Sequence, residues 1–221
     1  KINPGESFAI VGPTGSGKTT ITKLITKFYE VNTGNILIDG KDINHYALET
    51  LRSKIGVILQ DVFLFADTIY NNITLFNDNI TIENVENAAK ELEIHDFINS
   101  LPGGYSFNVS ERGTTLSAGQ KQLIAFLRVL VNNPDILILD EATSSIDSYS
   151  EDLIKNATKK ITKDKTSIII AHRLSTIESA DKIIYMENGK ILETGNHKQL
   201  LSIPNGKFKK LYEEQFIDEL V

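Results

Sequence analysis

Gly12-Pro13-Thr14-Gly15-Ser16-Gly17-Lys18-Thr19 is the stretch on which the fold of this chain turns. Its spacing is G-x-x-x-x-G-K-[ST], set between an apolar run with strand character, Ser7–Val11, and a helical stretch from Lys18 to Phe28. Glycines let the backbone curl so that successive N–H groups converge on one anion. The N-terminus of the following helix adds unpaired donors and partial positive charge. In that setting the Lys18 ammonium is expected to meet the β- and γ-phosphates of a nucleotide, and the Thr19 hydroxyl to ligate Mg²⁺. Gly12, Pro13, Thr14, Gly15, Ser16, Gly17, Lys18, Thr19 and Thr20 are the candidate nucleotide-binding residues. A Gly/Ser-rich linker with no ligand would share the composition, but not strand, loop and helix in this order.

Outward from the loop, short β-rich runs alternate with longer helical stretches, the pattern of an α/β fold with a mainly parallel sheet. Strands are expected near Ser7–Val11, Asn35–Ile38, Lys54–Leu59, Asp135–Leu139, Thr166–Ala171 and Lys182–Met186. Asn188-Gly189 is a hairpin turn joining Ile183–Glu187 to Ile191–Glu193. From Thr81 to Leu130 the pattern is helical, broken at Pro102-Gly103-Gly104, which reads as a helical lobe inserted between the third and fourth of those strands. No repeat or low-complexity segment interrupts the chain.

Ile136-Leu137-Ile138-Leu139-Asp140-Glu141 is an aliphatic strand that ends in two carboxylates. Such a strand is central, and its carboxyl end is where α/β sheets bind ligands. Asp140 therefore suits the shell of a Mg²⁺ ion. Glu141, one residue further on, suits a base that poises water in line with the γ-phosphate; such a base contributes about 10²–10⁴-fold in rate. An isolated Asp-Glu pair would sooner be a helix cap; beside a phosphate loop the catalytic reading is favoured.

At 221 residues the chain has room for one sizeable domain. Apolar residues make up 41% and charged residues 24%, an ordinary globular balance. A net charge of -6 gives no global field for nucleic acid. Cysteine is absent, which excludes disulfides and thiolate metal sites. The longest apolar runs, Ile136 to Leu139 and Ile168 to Ala171, are strand-sized rather than membrane-spanning. No signal peptide opens the chain, and its abrupt start at a strand leads to the expectation that structure precedes Lys1.

Leu116-Ser117-Ala118-Gly119-Gln120 resembles the LSGGQ signature of ABC ATPases, and it stands just upstream of the Asp140 strand, as in that family. Gln60 resembles the Q-loop glutamine, Ser110-Glu111-Arg112-Gly113 the E-R-G segment of exporters, Ser145-Ile146-Asp147 the D-loop and Ala171-His172-Arg173 the switch-histidine region. Gly195-Asn196-His197 through Leu200-Leu201 resembles the G-x-H-x-x-L-L tail of exporter domains. The resemblance spans nearly the whole chain. It implies a P-loop NTPase of RecA-like fold: a single ABC ATPase domain over 1–221, with its core in 1–80 and 131–221 and a helical subdomain in 81–130. It also implies antiparallel N-terminal strands and an adenine-stacking aromatic upstream of Lys1; Tyr29 and Tyr46 follow the loop and do not align with that aromatic. Ala118 departs from the usual glycine, a mild change because alanine still starts a helix.

In this family two domains meet head to tail, with ATP between the phosphate loop of one and the signature of the other. The resemblance thus implies ATP and Mg²⁺ as ligands, and as partners a second nucleotide-binding domain and transmembrane domains at the cytoplasmic face of the cell membrane, with no nucleic acid. Ser117 starts an apparent helix to about Leu130, so Ser117, Ala118, Gly119 and Gln120 would offer a second helix N-terminus to the γ-phosphate. Lys18, Glu141, His172 and Gln60 form the implied catalytic set; Thr19, Gln60 and Asp140 form the implied metal set. Apart from the family, His172 and Gln60 read as polar strand ends. His45, His95, Arg52 and Lys54 read as surface residues, and His197 as a helix-capping one. Val62-Phe63-Leu64-Phe65, with Thr68-Ile69 and Asn72-Ile73, reads as core, or as the docking surface for transmembrane domains. The helical stretch Phe208 to Phe216 packs on its own domain or on a partner. An importer ATPase, or a soluble ABC-type ATPase of DNA repair or translation, is the alternative. The E-R-G segment weighs against the first; the acidic balance, and a Thr19–Leu116 interval too short for a coiled coil, weigh against the second.

Overall fold

The computed structural model describes residues 1–110, 113, 115–140, 148–171 and 174–216. Its strands are β1 (Ser7–Val11), β2 (Leu37–Ile38), β3 (Lys41–Asp42), β4 (Ile55–Ile58), β5 (Ile136–Asp140), β6 (Thr166–Ile170), β7 (Lys182–Glu187) and β8 (Lys190–Gly195). Its α-helices are α1 (Lys18–Ile25), α2 (Leu48–Ser53), α3 (Ile69–Thr74), α4 (Ile82–Glu91) and α5 (His95–Ser100). They continue as α6 (Ala118–Asn132), α7 (Ser148–Thr162), α8 (Leu174–Ser179), α9 (His197–Leu201) and α10 (Lys207–Phe216). Two compact units emerge. One is Lys1–Ile55 with Asp135–Ala142 and Asp164–Val221; the other is Gly56–Pro134 with Thr143–Lys163.

The first unit is built on a sheet of order β4-β5-β6-β1-β7-β8, whose last five strands lie wholly within it. β1 pairs in parallel with β6 and with β7, and β5 with β6; β8 closes the edge antiparallel to β7. The parallel strands are near-continuous aliphatic runs, such as Ile168-Ile169-Ile170, because both of their faces are covered. β8 is largely exposed and mixes Lys190 and Glu193 with Ile191 and Leu192, the composition of a protected edge. Register puts Asp140 level with Ile170, and Ile170 level with Ile10, so the carboxylate at the end of β5 stands two strands from the end of β1.

Two local expectations are corrected here. The run Asn35–Ile38 is reduced to the two residues of β2, paired with β3 across Asp39 (φ 50°) and Gly40 (φ 76°), a left-handed pair that folds the chain into a short hairpin. Helix α1 stops at Ile25, before Phe28, since Lys27 adopts φ 54°.

The second unit packs α6 against α3, α4 and α7. The expected helical stretch 81–130 lies inside it, and α3 extends helix upstream of Thr81. Its inner wall is aliphatic: Leu64, Ile69, Ile73, Val85, Leu123 and Leu127 are buried. Asn72, fully buried on α3, accepts from the Phe65 N–H (2.8 Å) and donates to the carbonyls of Phe65 (3.0 Å) and Thr68 (3.0 Å). Arg128 on α6 donates to the carbonyls of Asn72 (2.9 Å) and Phe63 (3.3 Å), and desolvation lowers its pKa.

Candidate functional site

The loop after β1 is curled around its own lysine. The Lys18 Nζ donates to the carbonyls of Gly12 (2.7 Å) and Pro13 (2.9 Å), and the side chain is buried. An ammonium carries three donors, so a third remains for a ligand oxygen. Burial lowers the Lys18 pKa below the ordinary lysine value, and the charge of Asp140 partly opposes that shift. Gly12 can be nothing else: a Cβ there would lie 2.0 Å from the Met186 carbonyl oxygen. Gly17 caps α1 in the left-handed region (φ 102°) without any side-chain cap, which leaves the Lys18 and Thr19 amides for a ligand; the Thr20 N–H donates to the Gly17 carbonyl at 3.1 Å. The Ser16 hydroxyl is buried beside Gly12 with no hydrogen-bond partner. An orphaned hydroxyl, uncapped amides and a desolvated ammonium in one turn are the donors an anion would need. Thr19 and Thr20 are exposed on the first turn of α1. A Thr19 hydroxyl with the nearby Asp140 carboxylate is an all-oxygen pair suited to Mg²⁺, which takes few protein ligands and keeps its waters.

Of the remaining expected residues, Glu141, His172, Arg173, Glu111, Arg112 and Ser145-Ile146-Asp147 lie outside the described residues. Gln60 and the signature belong to the second unit. Gln60 is exposed, two residues beyond the end of β4. Ser117 is the N-cap of α6: its hydroxyl accepts from the Gln120 N–H (3.2 Å), and the Gln120 side chain accepts from the Ser117 N–H (3.0 Å). Ala118 takes the first helical position, and Gly119 is buried.

The flanking readings divide. Val62–Phe65 is neither all core nor all surface: Leu64 is buried, while Phe63 and Phe65, edge to face at 5.1 Å, are 56% and 45% exposed. His95 is not a plain surface residue. Its ring nitrogens lie 2.9 Å from the Tyr105 hydroxyl and 2.9 Å from the Asn99 amide, and burial pushes the Tyr105 phenol up to about 12. His197 does not cap its helix. Asn196 does, and the imidazole lies against Phe208 and Tyr212 with Nε2 buried. Helix α10 packs on α9 and β8 of its own unit.

The model of one protein family, ABC transporter, matches residues 1–144. The chain belongs to the ABC transporter family. The ABC chain is 49% identical over 212 residues to a putative multidrug export ATP-binding/permease protein of Bacillus subtilis (strain 168), covering 96% of itself and 36% of that protein. Similar identity, 49% over 214 residues, relates it to a putative multidrug export ATP-binding/permease protein of Staphylococcus aureus (strain NCTC 8325 / PS 47), covering 97% and 37%. The solved structure of a bacterial Atm1-family ABC exporter with ATP bound superposes with a TM-score of 0.89 at 43% identity, over 97% of this chain and 37% of that one. The ABC chain thus spans about a third of the length of these relatives. Its mainly parallel sheet and phosphate loop are those of an ABC ATP-binding domain. Among the described residues, no helix is long and apolar enough to cross a membrane.

Proposed function

We propose that this ABC chain binds MgATP on Gly12–Thr20 and hydrolyses it as the motor domain of an exporter. The observation that carries the reading is the Lys18 ammonium, desolvated inside the uncapped, left-handed turn before α1. Lys18 and the first-turn amides of α1 bind and orient the triphosphate. Glu141 directs water at the γ-phosphate, and His172 and Gln60 hold that water in line. Thr19, Asp140 and Gln60 would hold Mg²⁺, which would neutralise phosphate charge when bound.

The partner is a second nucleotide-binding domain, which presents its signature helix to the same γ-phosphate. Ser117 suits that part: its hydroxyl accepts from Gln120 and keeps its own proton to donate. The exposed Phe63–Phe65 pair is the docking surface for the transmembrane domains, at the cytoplasmic face of the membrane. In this reading 1–221 works as one ABC ATPase domain, with 81–130 as its helical subdomain. Export is favoured over import because the similar proteins named above are exporters.

Glu141→Gln tests the reading. Loss of the base with the phosphate contacts intact should abolish turnover and leave an ATP-dependent dimer on size-exclusion chromatography. A variant that hydrolyses ATP at the parent rate removes Glu141 from this role.

A further inference from the structure

We propose that the β7–β8 hairpin, with the Asn188-Gly189 turn at its tip, is the positioning element of the phosphate loop, and that Gly189 sets nucleotide affinity through Ser16. The inference rests on the nucleotide-site reading. Three parts of the loop lie on this hairpin. Val11 is in register with Tyr185, which brings Gly12 onto the Met186 carbonyl with no room for a side chain. The Gly189 N–H donates to the Ser16 carbonyl at 3.0 Å. A methyl added at Gly17 would meet the Gly189 Cα and the Met186 Cε, each at 3.7 Å.

The Ser16 bond matters most. In a trans peptide the C=O and the next N–H point in opposite directions. Anchoring the Ser16 carbonyl on Gly189 therefore aims the Gly17 N–H away from the hairpin, as a donor in the cradle. The anchor is only as fixed as the turn that carries it. Asn188 (φ 51°) and Gly189 (φ 73°) hold the left-handed pair that a two-residue hairpin needs. The strands behind the turn are braced against α10. The Glu193 carboxylate accepts from the N–H groups of Lys207 (2.6 Å) and Phe208 (3.0 Å), and Glu187 lies 3.3 Å from the Lys207 Nζ.

The molecule supplies its own control. The β2–β3 hairpin has a tip of matching conformation, Asp39 (φ 50°) and Gly40 (φ 76°), and a Cβ at Gly40 or at Gly189 would meet nothing within 4 Å. A β-branched residue at either glycine adds the same backbone strain. Calorimetric MgATP affinity is compared for the parent chain, Gly189→Val, Gly40→Val and Lys18→Ala, beside their melting temperatures. Gly189→Val should weaken binding about fivefold to tenfold, the worth of one backbone hydrogen bond. Gly40→Val should lose a similar part of its Tm and keep its affinity. Equal effects of the two valines on affinity, or none from Gly189→Val, overturn the inference while Lys18→Ala still abolishes binding. Unchanged affinity in Lys18→Ala overturns the nucleotide-site reading itself, and the inference with it. If Gly189→Val does not fold, Gly189→Ala against Gly40→Ala carries the same comparison with less strain.

Discussion

Lys18 holds its charge between two opposed influences, burial lowering its pKa and Asp140 raising it. A triphosphate requires the ammonium, so nucleotide affinity falls as pH rises through that lowered pKa. In Asp140→Asn the raising influence is gone and the fall should begin at lower pH; calorimetry without Mg²⁺ isolates it from metal binding. Coincident pH profiles for parent and variant would show that Asp140 does not support the ammonium. Folding alone carries the opposite sign: protonated Lys18 costs stability below its folded pKa, and the cost is relieved as pH rises through it. The loop residues were legible in the sequence because each task is local, a curl for glycine and a charge for lysine. Nothing in the sequence beside His95 or His197 announces Tyr105 or Phe208, so neither contact can be read from residue order alone.

At the scale of elements, Asn72 holds the Phe65–Thr68 segment to α3 with its whole amide. Asn72→Ala would leave the Phe65 N–H without its acceptor, while the Phe65 and Thr68 carbonyls keep the N–H groups of Asp67 and residue 72, and should destabilise the fold by about 1–3 kcal/mol in chemical denaturation. A loss below about 0.5 kcal/mol, the level of an ordinary surface change, would refute the clasp. Strands β1, β5, β6 and β7 can be read from the sequence because three or four consecutive apolar residues in a parallel sheet need no partner to be recognised. β3, two residues long and polar (Lys41–Asp42), exists only because β2 lies beside it. Helix α3 is hidden in the sequence for a related reason: six residues, with Asn71 and Asn72 inside, carry no periodicity. Arg128 also looks like any exposed position of an amphipathic helix until Asn72 and Phe63 are placed beneath it.

For the molecule as a whole, ligand linkage gives the broadest test. At about a hundredfold excess over Kd, MgATP should add about 2.7 kcal/mol to folding. For a chain of 221 residues that is a rise in Tm of about 5–10 °C by scanning calorimetry. Lys18→Ala should abolish the rise, and a rise that survives it would place the nucleotide elsewhere. In the second unit Arg128 donates to the carbonyl oxygens of Asn72 and Phe63, acceptors that take up no proton in mild acid. Arg128→Met should therefore cost the same stability in denaturation at neutral and at mildly acidic pH.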